Sequence, residues 1–406
     1  MYTSVSMKRT LLLTCLAAMS TASPAQQHPR ITRLDGTSIT IADAESFARQ
    51  TLASQHVTGA QLAVLNHGKL VWSAAFGLAG KNPGRPMDRD TTTWAASITK
   101  SVFATYVMTL VEHGEFDLDK PVAQQLPQSL DTYAPYRDTA SLLVHDPLWP
   151  LITPRMLLSH SSGLRNFTSM EPDNKLHLHF TPGSQFLYSG DGINLVQFLI
   201  EQKLHKPLNV LMQDALFTPL AMNRTGLIYH SEFSPDVADR FDLNGKFIAQ
   251  TRRDQPRGAS SMTTSADDLA RFLTALFANQ VLTPTTRDKM LTPVLPIHTL
   301  HEFPNIANGP LGKEGDRVGL SYSLGWGLLT HTKFGPAFFK EGHGDGAQNY
   351  LICFQRSQSC MVLLTNSDNG ELAFRPLLEH ILGDTATPWD WEGYTPAGIE
   401  ASRKSQ

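Results

Sequence analysis

The sequence predicts an α+β (α/β sandwich) protein, with an antiparallel sheet flanked by helices and a mostly helical region inserted at about residues 120–300. Three observations carry that expectation. Apolar runs of strand length gather near both ends of the chain, as in GAQLAVLNHGKLVWSAAFG and YLICFQRSQSCMVLLTN. Apolar residues at helical spacing fill the middle. Strands at both ends with helices between them imply one sheet built from the two termini.

The 406 residues, 41% of them hydrophobic, can bury a large core, read as a single domain over residues 26–406. Residues 1–25 read as a secretory signal peptide. Lys8 and Arg9 precede the short apolar run Leu11–Met19, and Ser23-Pro24-Ala25 offers small residues for cleavage. No later segment reaches membrane-spanning length, so the expected location is periplasmic or secreted, with no transmembrane segment after cleavage. A net charge of −3 without a basic run gives no footprint for nucleic acid.

Taken in order, IADAESFARQTLASQH has a helical pattern. Two strand-like runs around Asn66-His67-Gly68 read as a hairpin. SITKSVFATYVMTLVEHG is a helix whose apolar residues Val102, Phe103, Tyr106, Val107 and Leu110 recur at helical spacing, with Gly114 as its stop. Residues 120–150, rich in Pro, Asp and Tyr, read as irregular. ITPRMLLSHSSGL gives a short helix, and GINLVQFLIEQKL and SADDLARFLTALF give two longer ones. Ser265 is the cap of the last, with Asp267 and Asp268 in its first turn. The chain then returns to strands and ends in the helix ELAFRPLLEHILG and a tail, PWDWEGY, whose Trp389 and Trp391 are expected to pack against the body. Cys353 and Cys360 flank the polar turn QRSQ. With Arg356-Ser357 at its tip they fall opposite each other, and export would favour a cross-strand disulfide over two free thiols.

The candidate chemistry lies in WAASITKSVF. Ser97 falls at a helix N-terminus and Lys100 one turn later on the same face, amid apolar residues. A serine hydroxyl needs a neighbouring base to become a nucleophile, and burial favours the neutral lysine that can be that base. A Ser-x-x-Lys tetrapeptide alone is weak, because many helices carry it on a solvated face. His177 and His179 lack the further ligands a metal site would need, and no phosphate-binding loop occurs.

Further blocks surround the tetrapeptide in order: GEFDLDKPV, ITPRMLLSHSSGL, TPGSQFLYSG, SSMTTSADDLARF, SYSLGWGL and EGHGDGAQNY. Together they resemble the serine β-lactamase and penicillin-binding-protein superfamily, in the class C β-lactamase-like branch that also holds DD-carboxypeptidases, D-aminopeptidases and esterases. The resemblance implies a β-lactamase/transpeptidase-like fold and an acyl-enzyme on Ser97, with Lys100 and Tyr188 moving protons. It implies that His343 opens the third motif, with Gly344, Asp345 and Gly346 along the substrate edge. The oxyanion hole would use the N–H of Ser97 and of a residue near Gly346. No metal or organic cofactor is implied.

Two positions depart from the family pattern. Gly190 stands where Tyr-x-Asn has its Asn, and Asp345 stands where Lys/His-x-Gly has its Gly. Both changes touch recognition rather than acylation. The expected activity is therefore hydrolysis of a small-molecule ester, amide or peptide, with esters ahead of D-amino-acid amides. β-Lactamase or DD-carboxypeptidase action is the alternative, and an inactive peptidoglycan- or partner-binding protein is an alternative of another class.

Overall fold

Nine antiparallel strands form the central sheet of the computed structural model, which describes residues 1–4, 29–82, 84–229, 236–249, 252–302 and 311–404. The expected signal peptide lies, but for residues 1–4, outside the described residues. The strands are β1 (Gly59–Asn66), β2 (Lys69–Gly80), β3 (Arg85–Pro86), β4 (Leu295–Pro296), β5 (Leu320–Tyr322), β6 (Gly327–Leu329), β7 (Ala337–Gly344), β8 (Ala347–Phe354) and β9 (Ser359–Thr365). Their spatial order is β4-β5-β6-β7-β8-β9-β1-β2-β3, so the last long strand of the chain pairs with the first. The β1–β2 hairpin turns on His67 and Gly68, both at positive φ (51° and 71°), the backbone that matches strand twist in a two-residue turn.

Helices cover both faces. α1 (Ile41–Ser54) starts from a capping box in which Thr40 and Asp43 satisfy each other's backbone N–H. It packs with α6 (Glu371–Leu377, extended to Leu382 by a wider turn) on one face, burying Ala44, Leu52, Phe374 and Ile381 against Leu62, Tyr350 and Leu363. On the other face lies α2 (Ile98–Glu112), of whose 15 residues 12 are buried. A helix apolar all round must be enclosed. Here the sheet residues Ala63, Phe338 and Val362 meet one side of it, and the helical region meets the other. That region includes α3 (Pro154–Leu158), α4 (Gly190–Leu204) and α5 (Ala266–Phe277). Ser189 and Ser265 cap α4 and α5 through their side chains.

Two local readings are refined. LSYSLGWGLL is two short strands, β5 and β6, joined through Ser323–Trp326. Residues 120–150 carry short helical turns, among them Val122–Gln125 and Ser141–His145. Trp389 and Trp391 are buried against Tyr350 and Phe339, and so hold the tail to the sheet.

Cys353 and Cys360 stand opposite each other on β8 and β9, Cα atoms 4.1 Å apart, with their sulfurs bonded. Closing so short a loop restrains the unfolded chain by about 2 kcal/mol. Replacing both cysteines by alanine is expected to lower the Tm by several degrees in a thermal melt, and an unchanged Tm would show that the bond adds nothing to stability.

Candidate active site

Ser97 is the residue before the first turn of α2, yet its hydroxyl caps no backbone N–H. It meets the Lys100 Nζ instead, at 2.9 Å. The residue before it, Ala96, has φ +45°, a conformation that a non-glycine residue adopts only when its surroundings enforce it. That kink leaves the Ser97 N–H with no acceptor among the described residues. Lys100 is enclosed and donates to the Ala259 carbonyl at 2.7 Å. Burial without a directly contacting carboxylate brings its amine down to about 7, despite the opposing pull of Glu302 and Asp191.

Tyr188 comes from the segment before α4. Its ring lies between two amines, with Lys100 Nζ 4.9 Å and Lys340 Nζ 4.7 Å from its centroid. Its hydroxyl accepts from Lys340 at 2.9 Å and shares a hydrogen bond with Ser97. Burial pushes its ionisation well above the ordinary tyrosine value, so it rests as a hydroxyl. His160, from the block ITPRMLLSHSSGL, backs it at 4.3 Å between ring centres and accepts the Ser189 N–H at 3.1 Å. Burial, with Lys100 and Lys340 nearby, keeps that imidazole neutral.

The structure thus brings Ser97, Lys100 and Tyr188 together. It places His343 differently from the expectation. Lys340 and His343 lie three residues apart on β7, and side chains an odd number apart leave a strand on opposite faces. Lys340 faces Tyr188. The His343 ring turns toward Glu371 Oε1 (2.6 Å), Gln348 Oε1 (3.0 Å) and the Tyr394 hydroxyl (2.5 Å). The amine in the third-motif position is therefore Lys340, and Lys340-Glu341-Gly342 fits Lys-x-Gly letter for letter. That match stands in the sequence three residues ahead of His343-Gly344-Asp345, with its glycine intact. Lys340 is also in contact with the Glu341 carboxylate.

The reason for a glycine at 342 is steric. A Cβ there would stand 2.4 Å from the Ala95 carbonyl, so β7 is pressed onto the turn that carries Ser97. The strand continues past the end of β6, whose pairing stops at Phe339. Gly344 and Ala347 close the β7–β8 hairpin over the two-residue turn Asp345-Gly346. A hydrogen-bonded closing pair turns the His343 N–H away from β8, toward the open edge. Gly344 meets Trp94, and Gly346 donates its N–H to Asp368 at 2.5 Å with φ +71°. Asp345 is exposed at the tip of this turn and lines the cavity together with His343 and Gly344.

At Gly190, a Cβ would come within 2.6 Å of the Phe167 ring and 3.0 Å of Asn166 Oδ1. The loop 164–170 fills the space of the expected Asn side chain and supplies its own asparagine, which accepts the Gly190 N–H at 2.9 Å. Asp191 is held by the Thr168 N–H at 2.6 Å. Ser97, Tyr188, Asn166, Trp94 and Tyr394 line one cavity of about 1090 Å³. The C-terminal tail forms part of its wall, which the sequence did not indicate. His177 and His179 each pair with one carboxylate, Asp173 and Glu171.

Residues 44–383 match the family model described as Beta-lactamase. Esterase EstB of Burkholderia gladioli is 29% identical over 308 residues, covering 62% of this chain and 76% of that protein. A penicillin-binding protein homologue from Pyrococcus abyssi superposes with a TM-score of 0.68 at 20% identity, covering 90% of this chain and 81% of the other. A class C β-lactamase does so at 0.66 and 15% identity, covering 85% and 98%. With this match across most of its length, the chain belongs to the β-lactamase family and is a hydrolase of that fold.

Proposed function

We propose that this protein is an exported serine acyl hydrolase that cleaves carboxylic esters through an acyl-enzyme on Ser97. The observation that carries the reading is the contact between a buried amine near neutrality, Lys100, and the Ser97 hydroxyl at 2.9 Å. The name of the 29% identical relative, an esterase, favours esters over D-amino-acid amides and β-lactams. Export rests on the N-terminal sequence pattern and suits the Cys353–Cys360 pair.

The steps follow from the positions. Neutral Lys100 takes the hydroxyl proton as Ser97 Oγ attacks the ester carbonyl. The developing oxyanion is met by the N–H groups of Ser97 and His343, each such donor being worth about 3 kcal/mol of barrier. Tyr188, whose hydroxyl oxygen accepts a hydrogen bond from Lys340, gives its proton to the departing alkoxide. The Tyr188 phenolate then takes back the proton held by Lys100, whose Nζ lies 4.9 Å from its ring centre. A water molecule cleaves the acyl-enzyme by the same route in reverse, releasing the acid and restoring Ser97.

Two outcomes test this. A fluorophosphonate probe is expected to add one adduct to the wild-type protein and none to Ser97→Ala by intact mass, with Ser97→Ala losing at least about a thousandfold in kcat on a 4-nitrophenyl ester. Equal labelling or equal turnover in the two proteins would end the reading. The base must also be deprotonated, so kcat/KM should fall as the pH drops through about 7, where Lys100 regains its proton. A profile flat from pH 5 to 9 would remove Lys100 from that role.

A further inference from the structure

Most charged groups on the cavity wall already have partners. Asp368 accepts from the Gly346 N–H and the Gln348 side chain, at 2.5 and 3.2 Å. Glu371 holds His343 and Asp191 holds Thr168. Arg240, beside the cavity, donates to the carbonyls of Asp345 and Ala249, at 3.1 and 2.5 Å, and has Asp345 and Asp368 as counter-charges.

Arg253 is different. It lines the same cavity as Ser97, half-buried, and among the described residues its side chain has neither a hydrogen-bond acceptor nor a carboxylate partner. The charges that act on it, Arg257 and Arg240, repel it, and burial adds to the cost of its own charge. Its guanidinium lies 5.9 Å from the centre of the Trp94 ring, with Arg240 5.0 Å from the same ring. Trp94 is itself fixed by its indole N–H to the Ser260 carbonyl at 2.6 Å, three residues before the nucleophile. A guanidinium held on an aromatic plate, partly desolvated and without a counter-ion, is suited to a bidentate anion.

Its place along the groove says which part of the substrate would bring that anion. Trp94 abuts Gly344, at the hairpin end of β7. Lys340 and Tyr188 mark the other end, about 13 Å along the strand. The proton for the leaving group comes from the Tyr188 end, so the Arg253 end receives the acyl group. We propose that Arg253, with Arg257 beside it, binds a carboxylate on the acyl portion of the substrate, making half-esters of dicarboxylic acids the preferred esters. The inference rests on the acyl-hydrolase reading and deepens it.

The test compares 4-nitrophenyl hydrogen adipate with 4-nitrophenyl hexanoate, a neutral ester of matched chain length. Wild-type protein is expected to favour the half-ester by about tenfold or more in kcat/KM, the scale of one charge-assisted hydrogen bond, with the ratio shrinking as salt is raised. Arg253→Gln should bring the ratio near one and Arg253→Lys should keep part of it. Turnover of the neutral ester shows that each variant is folded. Ser97-dependent cleavage of both esters with no preference, or a preference unchanged in Arg253→Gln, would overturn the anion site alone. Turnover equal in wild type and Ser97→Ala would overturn the hydrolase reading and this inference with it.

Discussion

The enclosure of α2 governs the rest of the site. A helix buried on both sides cannot hydrate a charge, so any lysine in it must be neutral, ion-paired or strained. Lys100 is offered a carbonyl and a hydroxyl but no directly contacting carboxylate. The neutral amine is thereby favoured, and a neutral amine beside a serine is a base. The catalytic property thus comes from packing: Phe103, Val107 and their neighbours wedge the helix between Phe338 on the sheet and the helical region. The same wedge holds Ser97 at the groove floor.

A second amine then needs a different environment, because two ammonium groups on one buried tyrosine would repel. Burial pushes the Lys340 amine well below the ordinary lysine value and Lys100 adds to that, while Glu302 opposes it and the Glu341 carboxylate touches Lys340 directly. Both buried amines are thereby shifted toward the neutral form, and Lys340 supports the Tyr188 hydroxyl as a hydrogen-bond donor. The two lysines differ in what they touch: Lys100 meets the Ser97 hydroxyl and the Ala259 carbonyl, Lys340 the Tyr188 hydroxyl and the Glu341 carboxylate.

The parts legible in the sequence are those fixed by local pattern. The periodicity of α2, the Asn66-His67-Gly68 turn and the spacing that sets Cys353 opposite Cys360 are short-range facts. Ser97 and Lys100 share one helical turn, so their meeting follows from spacing alone. Lys340 was hidden differently. Its motif is in the sequence, but choosing between Lys340 and His343 requires knowing which face of β7 looks at Tyr188, and a register error of odd length reverses that face. Asn166 and Arg253 were not legible. Each depends on a loop reaching across the groove to a residue far away in sequence, and no periodicity encodes that contact.

This division also separates chemistry from recognition. The groups proposed to move protons are buried on α2, β7 and the segment entering α4, where a shift of one side chain disturbs a packed core. The groups that would touch the rest of a substrate come from the loop 164–170, the segment 252–260 and the tail that carries Tyr394. Gly190 shows how the two are insulated. Phe167 and Asn166 occupy the space a side chain at 190 would need, while Ser189 caps α4 and Tyr188 makes its hydrogen bonds. A recognition loop can therefore be remodelled without displacing the nucleophile. On such a scaffold, substrate preference is a property of these three segments and of the charges they carry into the groove.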